Sequence, residues 1–229
     1  MRDVFEPTPL QRNDHLSERY GAEIYLKRED LSPVRSYKLR GAFNAIRKRL
    51  AAGDTPTSFV AASAGNHAQG VAYMCKHFGL NGVIFMPVTT PEQKIMKTKT
   101  FGGDLIEVRL TGDYFDDTLA AAQSYCASVS GHFLSPFDDE DVIVGQASVG
   151  VEIEAQLGVP DVIVMPVGGG GLASGVSRFF GDECAYALVE PEGGNSLDEA
   201  YPAGHPSLPN HIYTFAEGAA VAQFGPKNL

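Results

Sequence analysis

Asp161-Val162-Ile163-Val164-Met165-Pro166-Val167-Gly168-Gly169-Gly170-Gly171-Leu172 is an apolar run that opens into four glycines. The run has the length and β-branched content of a buried strand, and Leu172 to Phe180 beyond the glycines reads as a helix. Strand, glycine turn and helix in that order aim several backbone N–H groups and a helix amino terminus at one point. Such a point holds an anion, phosphate among them. Four glycines alone also suit a flexible turn; the flanking strand and helix favour the cradle. No Gly-Lys-Ser/Thr follows, so this is not a nucleoside-triphosphate loop. No second βαβ unit ends in a ribose-binding acid, so it is not a dinucleotide site either.

The same alternation extends outward. Glu23 to Lys27, Ser58 to Ala62, Gly82 to Met86 and Asp104 to Leu110 read as strands. Ser36 to Leu50, Asn66 to Phe78, Pro91 to Thr100, Tyr114 to Ser130 and Val149 to Leu157 read as helices, with Gly79 and Pro87 as punctuation. This rhythm predicts an α/β protein with mostly parallel sheets and ligand loops at the strands' carboxyl ends.

Composition narrows the function classes. The chain has 229 residues, 44% hydrophobic and 20% charged, with a net charge of −10. It is long enough for a real core, and too acidic for a phosphate-neutralising stripe, so nucleic acid is excluded as a partner. The densest basic stretch, Arg35 to Arg49, is interleaved with apolar residues and reads as a solvated helix face. No run of about 18 apolar residues predicts a membrane span, and the amino terminus lacks the apolar core of a secretory signal. Cys75, Cys126 and Cys184 are dispersed, which fits reduced thiols and a cytoplasmic setting.

Two further segments carry chemistry. In Ser36-Tyr37-Lys38-Leu39-Arg40-Gly41-Ala42 a lysine follows a hydroxyl and an aromatic ring and precedes small residues. In Ser63-Ala64-Gly65-Asn66-His67 a strand-to-helix turn offers amides and a hydroxyl that suit a carboxylate. Asn66 alone reads as a helix cap. With the glycine run, these motifs resemble the fold-type-II pyridoxal-phosphate enzymes, and most closely the threonine and serine dehydratases. The resemblance runs from Thr8-Pro9-Leu10 to Glu217-Gly218-Ala219.

That resemblance implies a two-lobed, tryptophan-synthase-β-like α/β architecture. Residues 1–44 and 147–229 would form a large cofactor-binding lobe, and 45–146 a small lobe. It implies pyridoxal 5'-phosphate held by Lys38 as a Schiff base, the freed amine then taking the substrate's α-proton. It assigns Tyr37, Asn66, Gly168, Gly169, Gly170, Gly171, Leu172 and Gly218 to the cofactor, with Asn66 on its ring hydroxyl. Ser63, Ala64, Gly65 and His67 would hold a substrate carboxylate, and Phe137 of Pro136-Phe137-Asp138 would meet the substrate side chain or simply fill core. The implied reaction is dehydration and deamination of L-threonine or L-serine to a 2-oxo acid and ammonia, as in isoleucine biosynthesis. A homodimer or larger homo-oligomer is expected, and a β-replacing synthase, a hydroxyaspartate lyase or a poorly active remnant are the alternatives.

Two departures matter. Serine racemases, which this chain also resembles, carry a second serine where Ala64 stands, and alanine cannot exchange a proton, so elimination is expected over racemisation. Glu190-Pro191 resembles the start of a metal site, but Ser196 stands where an aspartate would complete it, so no metal is expected. Members of the family continue beyond residue 229 and supply there the partner of the cofactor's ring nitrogen. The present chain is therefore expected to be truncated and less efficient.

Overall fold

A computed structural model describes residues 4–192, 194–198 and 224–228. β1 (Leu10–Arg12) pairs antiparallel with β2 (Tyr25–Lys27), and α1 (Asp14–Tyr20) lies between them in the chain. The main sheet follows, alternating with helices: α2 (Lys38–Ala51), β3 (Phe59–Ala62), α3 (Asn66–Phe78), β4 (Gly82–Met86), α4 (Glu92–Gly102), β5 (Ile106–Leu110), α5 (Phe115–Ser128) and β6 (His132–Phe133). Its order is β5-β4-β3-β6 and every pairing is parallel. The chain continues through α6 (Glu140–Leu157), β7 (Val162–Pro166), α7 (Gly171–Phe180) and β8 (Ala185–Val189), with β7 and β8 parallel.

Period-two alternation explains the central strands. Phe59, Ala61, Ile84 and Met86 face one cluster with Ala68, Val71, Ala72 and Cys75 of α3. Val60, Ala62, Val83 and Phe85 face a second cluster with Ala122 and Cys126 of α5. Strands covered on both faces must be apolar throughout, and these are.

Expected and observed elements agree closely for α3 and β4. α6 begins well before Val149, because the Asp139 carboxylate accepts the N–H groups of Asp141 and Val142 and starts the helix there. β7 is not fully buried: Val162 and Val164 are 52% and 69% exposed, and its one described pairing is with β8. Arg40 corrects the reading of Arg35 to Arg49 as a solvated face, because its side chain is fully buried. No helix among the described residues is long and apolar enough to cross a membrane.

Helices α2, α6 and α7 cross at glycine. A Cβ on Gly145 would lie 2.5 Å from the Arg40 carbonyl oxygen, and one on Gly175 2.6 Å from that of Ile143. Only glycine permits backbones this close. The topology thus gathers the loops after β3, β6 and β7 near the amino terminus of α2.

Candidate active site

Lys38 is delivered by a braced turn. The Ser32 hydroxyl donates to the Ser36 carbonyl at 2.8 Å and accepts the Ser36 N–H at 3.0 Å. Arg35 takes φ 59°, a left-handed value that non-glycine residues seldom adopt. α2 then begins at Lys38, and Gly70 of α3 sits against its backbone. A Cβ there would lie 2.9 Å from the Lys38 carbonyl carbon.

Two residues on, Arg40 anchors the same helix turn. Its guanidinium reaches Glu29 Oε1 at 2.8 Å and Glu152 Oε1 at 2.7 Å, while Lys27 Nζ lies 2.6 Å from Glu152 Oε2. Burial alone would raise the Glu152 carboxyl, but hydrogen bonds from Arg40 and Lys27 hold it below the ordinary range. The network ties β2, α2 and α6 together.

The Lys38 amine donates to the Pro136 carbonyl at 2.7 Å and lies 5.4 Å from the centre of the Tyr37 ring. Burial lowers it from 10.5 to about 8, and burial likewise pushes the Tyr37 phenol up to about 12. Only a neutral amine attacks an aldehyde. Capture of a simple aldehyde at Lys38 in the cofactor-free protein, trapped by reduction, is therefore expected to rise with pH about a midpoint near 8. A midpoint near the ordinary lysine value of 10.5 would contradict this assignment. Because the folded value is lowered, the unfolded chain binds more protons between about 8 and 10.5, and Lys38 makes the fold gain stability as pH rises through that window.

His67 is buried, and its Nε2 lies 2.9 Å from the Leu134 carbonyl. Burial first, and the Lys38 charge second, bring its ring down to about 3, so it is neutral. A neutral ring facing a carbonyl carries its proton on Nε2 and donates it there. That leaves Nδ1 buried, without a partner among the described residues. The loop 134–137 is thus pinned by His67 at one carbonyl and by Lys38 at another.

Tyr37, Lys38, Phe137 and Gly168 to Leu172 line one cavity of about 30 Å³. The Phe137 ring packs against Gly169, where any side chain would collide with it, and Gly170 takes φ 93°. The N–H groups of Gly168 to Leu172 find no acceptor among the described residues, at the amino terminus of α7. Unpaired donors, the helix dipole and a neighbouring amine of lowered basicity fit a phosphorylated aldehyde such as pyridoxal phosphate. Pockets for ligands of that size run to about 300 Å³ and above. A cofactor of that size needs more room than this cavity provides.

Ser63, Ala64, Gly65 and Asn66 follow β3 but do not line that cavity. The Ser63 hydroxyl accepts the Gly65 N–H at 3.1 Å, and the N–H groups of Ala64, Asn66 and His67 have no acceptor among the described residues. Asn66 does not cap α3, as Gly65 occupies that position; its exposed side chain has no hydrogen-bond partner among the described residues. The Glu190 carboxylate accepts the N–H groups of Leu197 and Asp198 at 2.8 and 2.9 Å, which commits it to that turn. Gly218 lies outside the described residues. Sequence reasoning misses the Pro136 carbonyl, Gly70 and the partners of Arg40. A charged residue on an otherwise apolar helix face is the available signal for the last.

The whole chain, residues 1–229, matches the pyridoxal-phosphate dependent enzyme family. It is 48% identical over 233 residues to a Bacillus subtilis (strain 168) protein named L-threonine dehydratase biosynthetic IlvA, covering 100% of this chain and 55% of that protein. The chain spans about half the length of the curated relatives it matches. Among solved structures, the processed form of threonine deaminase isoform 2 from Solanum lycopersicum superposes with a TM-score of 0.90 at 39% identity, covering 98% of this chain and 65% of that one. A threonine deaminase from T.th. superposes with a TM-score of 0.87 at 31% identity, covering 97% of this chain and 72% of that one. By sequence over its full length, by its parallel α/β topology and by a lysine facing a glycine cradle, this chain belongs to the pyridoxal-phosphate dependent enzyme family.

Proposed function

We propose that this chain carries the cofactor- and substrate-binding part of a threonine or serine ammonia-lyase, which converts L-threonine or L-serine to a 2-oxo acid and ammonia. The observation that carries the reading is the Lys38 amine, lowered to about 8, in one cavity with the amides of Gly168 to Leu172, which have no acceptor among the described residues. The names of the relatives point to the same chemistry.

Pyridoxal phosphate, when bound, supplies an electron sink that acidifies an amino acid's α-hydrogen. Lys38 would be the nucleophile that holds its aldehyde and, once freed, the base that takes that proton. At neutral pH an amine near 8 is partly unprotonated, and enough of it is available for both roles. The glycine loop and Leu172 hold the phosphate, and Tyr37 and Phe137 close the cavity walls. Asn66, whose side chain has no partner among the described residues, would serve the cofactor's ring hydroxyl. The open amides of Ala64, Asn66 and His67, with the Ser63 hydroxyl, receive the substrate carboxylate. Residues 45–146 act as a small lobe against a larger one formed by 1–44 and 147–229.

Ala64 sets the outcome. It leaves the substrate's second face without a proton donor, so L-serine is expected to give pyruvate with little D-serine. A 2-oxo acid assay with L-threonine and L-serine, paired with chiral analysis, tests both the activity and its direction. No 2-oxo acid above background in the pyridoxal-phosphate-loaded protein overturns the proposal, and D-serine in amounts comparable to pyruvate overturns the role of Ala64. A cytoplasmic setting accords with three buried free thiols, Cys75, Cys126 and Cys184. Self-association accords with the exposed Val162, Val164, Leu188 and Val189 of the β7–β8 sheet.

A further inference from the structure

Residues 224–228 lie across the glycine loop and the loop after β6, both of which line the cavity. Phe224 is buried in the cluster of α6, β7 and α7, and its ring packs on Gly170. The Gly225 N–H donates to the Gly169 carbonyl at 3.1 Å. The Asn228 amide nitrogen donates twice, to the Gly169 carbonyl at 2.7 Å and to the Phe137 carbonyl at 3.1 Å. The Asn228 carbonyl in turn accepts from the Ser174 hydroxyl at 3.0 Å, one turn into α7. On the far side, the Lys227 N–H donates to Asp138 Oδ1 at 2.9 Å, and Arg178 donates to the Lys227 carbonyl at 2.9 Å.

One side chain therefore joins a carbonyl of the glycine loop to a carbonyl of the loop after β6. The first loop carries the open amides, and the second carries both Phe137 and the Pro136 carbonyl that receives the Lys38 amine. We propose that Asn228 is a positioning residue: its amide clasps the Phe137 loop to the glycine loop and so sets how tightly, and for how long, a phosphate is enclosed. The inference rests on the cofactor site proposed above. A two-donor NH₂ group is what two facing carbonyls require; a carboxylate there would meet them lone pair to lone pair. With the clasp released, the cradle amides keep their identity but lose their fixed direction, which is what preorganisation contributes to anion binding.

The test compares wild type with Asn228→Ala and Asn228→Asp, using pyridoxal phosphate and unphosphorylated pyridoxal as probes. Both aldehydes can react with Lys38, but only the first uses the cradle. The clasp predicts that the preference for pyridoxal phosphate over pyridoxal narrows at least tenfold in both variants, with faster pyridoxal phosphate release. Equal weakening toward both probes, or no change, overturns it. Amide hydrogen exchange on the cofactor-free proteins reads the clasp independently of ligand. Exchange in both 134–140 and 168–175 should rise in the variants, with 82–86 of β4 unchanged. Unaltered exchange in either loop overturns the clasp. A wild-type protein that binds neither probe overturns the proposed cofactor site, and the exchange result then still decides the clasp.

Discussion

Replacing Lys38 with alanine is expected to lower turnover of L-threonine by at least about 10³-fold and to leave the fold intact. Removing a positioned acid–base group alone costs about 10²–10⁴ in rate, and among the described residues this is the one amine lining the cavity with the glycine loop. Among the described residues its side-chain amine makes a single hydrogen bond, to the Pro136 carbonyl, and its burial disfavours the charge it carries. The variant's unfolding midpoint should accordingly equal or exceed that of wild type. Kinetics beside a thermal melt check this directly. Retained turnover would remove Lys38 from the chemistry, and a collapsed melt would show its role to be structural.

The second large effect concerns stability. Arg40→Met is expected to cost about 3–5 kcal/mol, the usual penalty for removing one member of a buried ion network. The variant leaves Glu29 and Glu152 facing each other across the vacated guanidinium, with Lys27 the one cation among the described residues still paired to Glu152 and the Thr8 N–H a neutral donor to it at 3.2 Å. Against a total stability of about 5–15 kcal/mol, that loss should be plain in urea unfolding. pH separates this explanation from simple loss of packing. Glu152 has its folded value below the ordinary 4.5, so its contribution is present above 4.5 and is lost as pH falls through the folded value. Without Arg40 that contribution shrinks, and stability should decline less steeply with acid than in wild type. A variant within about 0.5 kcal/mol of wild type, the range of a neutral surface change, would show that the network is not holding α2 in place.

What is legible in the sequence is local. α3 runs Asn66–Phe78 and β4 runs Gly82–Met86, where periodicity and the stops Gly79 and Pro87 act within a few residues of one another. The glycine cradle is legible for the same reason, since its strand, turn and helix are contiguous. Arg40 misleads because its partners lie 11 and 112 residues away, and a buried guanidinium looks like a solvated one until they are placed. The apolar run of β7 implies a wholly buried strand, yet the described residues cover it only in part. Phe137 leaves two readings open, and its packing against Gly169 depends on a loop-to-loop meeting that no spacing encodes. The clasp at Asn228 carries no local signal at all.

In the proposed function, Lys38 and the Gly168–Leu172 cradle form one cofactor site. Its most direct test is to load the protein with pyridoxal phosphate, reduce with borohydride and map the modified peptide by mass. A single phosphopyridoxyl group is expected on the peptide containing Lys38, and it should be lost when inorganic phosphate is present in large excess during loading. A label on Lys27 or Lys94 instead, or labelling of Lys38 that phosphate does not diminish, would contradict it.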